Sequence, residues 1–168
     1  LERLLYLLTG KDDAKIREWF TKLSSEGKYE VSDDIKALLK EDFYGGCCDD
    51  EQTKETIKRT YEKYSYTLDT HTAVAVKVYE DYKSATGDET RTVIASTASP
   101  YKFSASVLEA IDGKKPEIVE FAMVDRLYEI SQYEIPDALA SLKNKEIRFS
   151  ESVESNQMKD FVLKTLGM

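Results

Sequence analysis

One stretch of the chain decides its predicted fold: Thr90-Arg91-Thr92-Val93-Ile94-Ala95-Ser96-Thr97-Ala98-Ser99-Pro100. Residues 91–96 are rich in β-branched side chains and become nearly uniformly apolar, which is typical of a strand buried on both faces of a parallel sheet. Ser99 and Pro100 then have the pattern of a helix N-cap followed by the first helical residue. A strand that leads into a helix predicts an α/β fold, and we predict a second, edge strand over residues 146–150.

Helical periodicity dominates the rest of the chain. Leu1, Leu4, Leu5 and Leu8 have the i, i+3, i+4, i+7 spacing of a helix with one buried stripe. Further helices are predicted after the capping residues Asp12, Ser32, Asp49 or Asp50, and Asp69, and over residues 117–131. So many helices beside one buried strand are unusual for a self-contained fold. They are typical of a doubly wound α/β enzyme whose first half is missing.

Composition and charge exclude several classes of protein. The 168 residues carry 24 basic and 32 acidic side chains, a net charge of -8, and no basic stripe, so we expect no nucleic-acid partner. No apolar stretch is long enough to span a bilayer, so we expect no membrane partner. Cys47 and Cys48 are adjacent, which rules out a CxxC zinc or redox motif and fits a reducing, cytoplasmic location. Because the chain opens with Leu1 inside a helical pattern, we expect a fragment of a longer protein.

Hydroxyl side chains follow the predicted strand. Ser96, Thr97 and Ser99 lie at its carboxyl end, the edge of an α/β sheet at which ligands usually bind. The residues alone also allow a structural role, in which Ser99 caps the next helix and Thr97 satisfies its own turn.

Three residues with ionisable or hydrogen-bonding side chains lie near predicted helix starts. His71 is the one histidine, which excludes a zinc site of several histidines, and no metal site is predicted. Its ring could hydrogen-bond a substrate, or simply backbone and water. Asp69 favours an N-cap role over that of a general base. Lys102, in a first helical turn, indicates an anionic ligand nearby or is a solvated surface lysine.

The chain contains, in order, three motifs that resemble those of one enzyme family. The motifs are Glu2-Arg3-Leu4-Leu5-Tyr6, then Leu68-Asp69-Thr70-His71-Thr72-Ala73, then Ala95-Ser96-Thr97-Ala98-Ser99-Pro100-Tyr101-Lys102-Phe103 with Val107-Leu108-Glu109-Ala110 after it. They resemble bacterial and fungal threonine synthases, and the likeness corresponds to roughly the C-terminal third of such an enzyme. The family uses pyridoxal phosphate in a type II fold to convert O-phospho-L-homoserine and water to L-threonine and phosphate.

The resemblance implies a division of roles. The catalytic lysine that forms the Schiff base lies upstream in the family, so this chain is expected to hold no catalytic residue, to bind no cofactor alone and to be inactive alone. Thr97, with Ser96 second, is implied to face the pyridine nitrogen of the cofactor. His71, Asp69, Thr72 and Lys102 are implied to lie near the substrate. Residues 1–66 would form a helical segment, and residues 67–168 the C-terminal part of the α/β cofactor domain with a helical tail.

Two other functions stay open at this point. The first is another type II pyridoxal-phosphate lyase, such as a dehydratase or a sulfhydrylase. The second is a stand-alone helical interaction module, whose apolar stripes would dock a partner. A severed half-domain would instead expose apolar surface around residues 92–96, and we expect such a fragment to self-associate there.

Overall fold

The computed structural model describes residues 1–118, 120–148 and 150–168. Within these ranges the regular structure is helical, and the chain divides into two compact units, Leu1–Lys115 and Pro116–Met168. No helix in the described ranges is both long and apolar enough to cross a membrane.

Three helices form the first core of the larger unit. These are α1 (Glu2–Leu8), α2 (Asp13–Glu26) and α3 (Asp33–Asp42), and α1 packs against both of the others. Their buried apolar residues are Leu5, Ile16, Trp19 and Ile35. The side chain of Asp12 accepts a hydrogen bond from the backbone N–H of Lys15, which confirms its predicted role as the cap of α2.

A second group of helices carries the predicted site residues. α4 (Asp50–Tyr64) packs against α5 (Thr70–Thr86) and against α6 (Ser104–Asp112), and a single 3₁₀ turn, Pro100–Phe103, leads into α6. Asp49 and Gln52 form a capping box at the start of α4. Ile57, Ala73 and Val107 are completely buried, one on each of the three helices. Because α5 packs against α4 and buries Ala73 in its first turn, the start of α5 is held in place within the larger unit.

The predicted α/β fold is wrong for the part of the chain that the structure describes. Residues 91–96 form no strand, and Val93 is 91% exposed where two-sided burial was predicted. β-branched residues favour an extended backbone, but a strand also needs a neighbour whose backbone completes the hydrogen-bond ladder. No strand that could pair with this segment occurs among the described residues. The backbone N–H of Thr90 instead donates a local hydrogen bond to Asp88 Oδ1.

The smaller unit is also helical where it is described. It contains α7 (Phe121–Ser131), α8 (Asp137–Ala140) and α9 (Met158–Thr165), with 3₁₀ turns at Ser141–Asn144 and Ser155–Gln157. The helix predicted over residues 117–131 begins later than expected, at Phe121. The edge strand predicted over residues 146–150 is absent from residues 146–148 and 150, and Phe149 lies outside the described residues. The predicted domain division near residue 66 concerns the longer enzyme and stays a prediction.

Candidate functional site

Asp69 is the N-cap of α5, as its sequence position predicts. Its Oδ1 accepts hydrogen bonds from the backbone N–H groups of His71, at 2.8 Å, and Thr72, at 3.2 Å. Its Oδ2 accepts a further short bond from the hydroxyl of Thr72. The Asp69 side chain is completely buried, and these bonds replace the water that the carboxylate loses. Asp69 is therefore a buried anchor rather than a solvent-exposed base.

The hydroxyl of Thr72 joins this anchor to the segment that carries the predicted cofactor contacts. Its Oγ1 lies 3.1 Å from the Oγ of Ser96, within hydrogen-bond distance across 24 positions of sequence. The carboxylate of Asp69 can only accept. Thr72 is the donor in both contacts, so Asp69 Oδ2 and Ser96 Oγ both accept from its hydroxyl. The three side chains form a hydrogen-bonded group with the Thr72 hydroxyl at its centre.

Thr97 differs from Ser96 in what its hydroxyl is free to do. Both residues are exposed. The Oγ of Ser96 is held by the Thr72 hydroxyl, whereas the side chain of Thr97 has no hydrogen-bond partner within residues 1–118, 120–148 and 150–168. A hydroxyl without a partner can turn freely to donate its proton to an incoming acceptor. Of the two adjacent hydroxyls, that of Thr97 is the one not held by another side chain of the described residues.

His71 and Lys102 meet on a third side chain, that of Phe103. The His71 and Phe103 rings lie 4.9 Å apart between centroids with an angle of 38° between planes, and Lys102 Nζ lies 5.4 Å from the Phe103 centroid. Both contacts are typical of polar groups on an aromatic face. The His71 side chain is 62% exposed, so its ring is open to a ligand. The structure thus places the imidazole and the ammonium on one partly buried ring.

The helix entry beyond this site is organised as predicted. The Oγ of Ser99 accepts a hydrogen bond from the backbone N–H of Tyr101 at 3.3 Å, and Pro100 occupies the first turn. The capping role of Ser99 is confirmed, and its side chain is committed to the backbone.

The segment that carries Ser96 is also held at its other end. The phenol of Tyr82 donates to Asp88 Oδ2 at 2.6 Å, and the N–H of Thr90 donates to Asp88 Oδ1 at 2.8 Å. Hydrogen bonds from Thr90 and Tyr82 lower the pKa of the Asp88 carboxyl to about 2, because they stabilise its charged form. The same contact raises the pKa of Tyr82. Residues 88–97 are thus tied to α5 near both of its ends.

Five of the six predicted site residues therefore separate into two small groups, and Thr97 belongs to neither. Asp69, Thr72 and Ser96 are joined directly by hydrogen bonds, while His71 and Lys102 are joined through a shared ring. The sequence analysis did not predict the contacts of Phe103 with His71 and Lys102. The one local signal for them was the position of Phe103 directly after Lys102.

These residues fit the pyridine end of pyridoxal phosphate. The ring nitrogen calls for a hydrogen-bond donor, and the exposed Thr97 hydroxyl supplies one that is neutral and without a partner among the described residues. The seven glycines of the sequence contain no Gly-rich phosphate loop, since apart from Gly45 and Gly46 they are scattered.

Comparison with known proteins gives a consistent result. Residues 72–162 match the family described as threonine synthase, C-terminal. Threonine synthase from Methylobacillus glycogenes is 35% identical over 69% of this chain, which spans 24% of that protein. The crystal structure of threonine synthase from yeast is similar with a TM-score of 0.70 and 28% identity over 99% of this chain, which covers 34% of that chain.

A second solved structure is that of pyridoxal-phosphate-bound threonine synthase from Brucella melitensis. It is similar with a TM-score of 0.54 and 26% identity over 79% of this chain, which covers 26% of that chain. The chain thus spans about a third, or less, of the length of the proteins reported for comparison.

Proposed function

We propose a function for this chain on the basis that it belongs to the threonine synthase family. It would form the C-terminal part of a pyridoxal-phosphate enzyme that converts O-phospho-L-homoserine and water to L-threonine and phosphate. The Brucella relative is described with pyridoxal phosphate bound. The single structural observation that carries the proposal is the exposed hydroxyl of Thr97, which has no hydrogen-bond partner among the described residues.

Thr97 would act on the cofactor ring. When bound, pyridoxal phosphate supplies an electron sink for negative charge that develops on the substrate. The Thr97 hydroxyl would donate its hydrogen bond to the pyridine nitrogen, and because it is neutral it would leave that nitrogen unprotonated. Ser96 is the weaker candidate, because its hydroxyl is already held by that of Thr72. The chain would thereby orient the ring and moderate its pull on electrons.

His71 and Lys102 would lie on the substrate side. Their contacts with Phe103 hold one hydrogen-bonding ring and one cation close together at the surface. A cation attracts a phosphate group, and an imidazole can donate to it or accept from a substrate amine. We assign both residues to binding and orientation of the phosphorylated substrate.

Product analysis of the full-length enzyme tests the proposal. With pyridoxal phosphate and O-phospho-L-homoserine, we expect phosphate and L-threonine in equal amounts, and the 168-residue chain alone should release neither. Release of ammonia from a hydroxyamino acid without phosphate release would instead identify another type II lyase. Turnover by the 168-residue chain alone would contradict the proposal that the upstream part supplies the catalytic lysine.

A further inference from the structure

We infer that Asp69 and Thr72 are positioning residues, which hold Ser96 by its hydroxyl and so set where the neighbouring Thr97 is presented. The inference rests on the proposed function, because it needs a cofactor that Thr97 meets. It gives Asp69 and Thr72 a role in addition to helix capping and to their predicted position near the substrate.

The use of both carboxylate oxygens separates this task from capping. Oδ1 of Asp69 alone receives the two backbone N–H groups at the start of α5. Capping is therefore complete without Oδ2. Oδ2 instead receives the Thr72 hydroxyl, and the same Thr72 oxygen lies 3.1 Å from Ser96 Oγ. The second oxygen of Asp69 therefore holds in place the hydroxyl that contacts Ser96.

The rigidity of the pair makes it a suitable anchor. Thr72 is 4% exposed and Asp69 is 1% exposed, and both belong to the start of a helix that packs against α4. A β-branched residue in a helix has few side-chain conformations, so the hydroxyl of Thr72 is held in place. Through Thr72, the position of Ser96 is fixed relative to the packed helices of the larger unit.

The segment itself has little else to hold it. Residues 91–97 form no regular structure, and Val93 is almost fully exposed. Among the described residues, one side-chain hydrogen bond links residues 90–97 to a helix, and it is the bond between Thr72 and Ser96. Loss of this bond should loosen the backbone at Ser96 and Thr97 first, because the tie at Asp88 lies eight residues away.

Backbone nitrogen-15 relaxation of the cofactor-free full-length protein provides the first measurement. Thr72→Val removes the hydroxyl and keeps the shape, so the NMR order parameters of residues 96–99 should fall from about 0.85, typical of rigid backbone, toward about 0.6. Thr72→Ser should restore the wild-type values. Ser96→Ala removes the hydroxyl at the other end of the same bond and should lower the order parameters as Thr72→Val does, without a further fall in the double variant.

Thr56→Val is the matched control. Thr56 is also a buried helical threonine, but its hydroxyl bonds to the Gln52 carbonyl of its own helix at 2.7 Å. Thr56→Val should leave the order parameters of residues 96–99 unchanged. If Thr72→Val behaves like Thr56→Val, the inference is overturned, whatever reaction the enzyme performs.

Steady-state kinetics of phosphate release provides the second measurement. We expect Thr72→Val to lower kcat roughly five- to tenfold, the effect of one net hydrogen bond, with KM unchanged and with rescue by Thr72→Ser. Lower order parameters with unchanged kcat would overturn the positioning role. A wild-type enzyme that releases no phosphate would overturn the proposed function, while the order parameters would still decide whether Thr72 holds Ser96.

Discussion

Lys54 Nζ lies 2.8 Å from Oε1 of Glu109, 55 positions later in the chain, and this ion pair joins α4 to α6. The two side chains are 26% and 32% exposed, and Glu51 contacts the same ammonium at 3.0 Å. Hydrogen bonds from Lys54 to Glu109 and then Glu51 raise the pKa of Lys54 to about 12. The pair ties together two of the helices around the candidate site.

The first prediction concerns the pH dependence of this pair. The pKa of Lys54 is higher in the folded than in the unfolded chain, so its stabilisation is complete below pH 10.5 and disappears as pH rises toward 12. Glu109→Gln should lower the thermal midpoint of the chain at pH 8, and its difference from wild type should shrink between pH 10.5 and 12. Glu55→Gln, on the same helix and without an ion pair among the described residues, is the control. A difference that stays constant up to pH 12 would contradict this account of the pair.

The second prediction concerns the tie between Tyr82 and Asp88. The pKa of Asp88 is lower in the folded than in the unfolded chain, so its stabilisation is present above pH 3.8 and is lost as pH falls toward 2. Tyr82→Phe removes one of the three hydrogen bonds responsible, the other two being those from the side chain and the backbone of Thr90. It should lower the midpoint of thermal unfolding at pH 6, and the deficit should shrink as pH falls from 4 to 2. Tyr66→Phe, at a 49% exposed tyrosine, should have no such pH-dependent effect, and an equal effect would count against the tie.

The third prediction compares two adjacent glycines in the loop before α4. A Cβ added at Gly46 would lie 2.7 Å from Val78 Cγ1 on α5, whereas a Cβ at Gly45 would meet no atom within 4 Å. Gly46→Ala should therefore destabilise the chain by about 1–3 kcal/mol in urea unfolding, the usual cost of overpacking. Gly45→Ala should stay within about 0.5 kcal/mol of wild type. Val78→Ala should recover part of the loss at Gly46, and equal effects of the two glycine variants would contradict the close approach.

Local features of this chain could be predicted from sequence, because they depend on a few adjacent residues. Asp69 and Ser99 cap their helices as expected, since a capping oxygen needs only a backbone N–H two or three positions away. The strand over residues 91–96 failed for the opposite reason. Its pattern describes an extended backbone, but a strand requires a partner that local sequence does not specify.

The site shows the same division between local and distant information. The hydroxyls of Ser96 and Thr97 look equivalent in the sequence. Their difference depends on Thr72, which lies 24 positions from Ser96 and reaches it through the packing of helices. The shared contact of His71 and Lys102 with Phe103 likewise joins two segments about 30 residues apart. Such pairings follow from tertiary structure and are not visible in a spacing pattern.

The role of Thr97 is the central claim, and phosphate release from O-phospho-L-homoserine by full-length Thr97→Val enzyme tests it most directly. Loss of a hydrogen bond to the cofactor ring should lower kcat by about tenfold or more, the effect of roughly 1.4 kcal/mol in the transition state. Thr97→Ser, which keeps the hydroxyl, should retain most of the wild-type rate. A Thr97→Val enzyme with the kcat of wild type would contradict the claim.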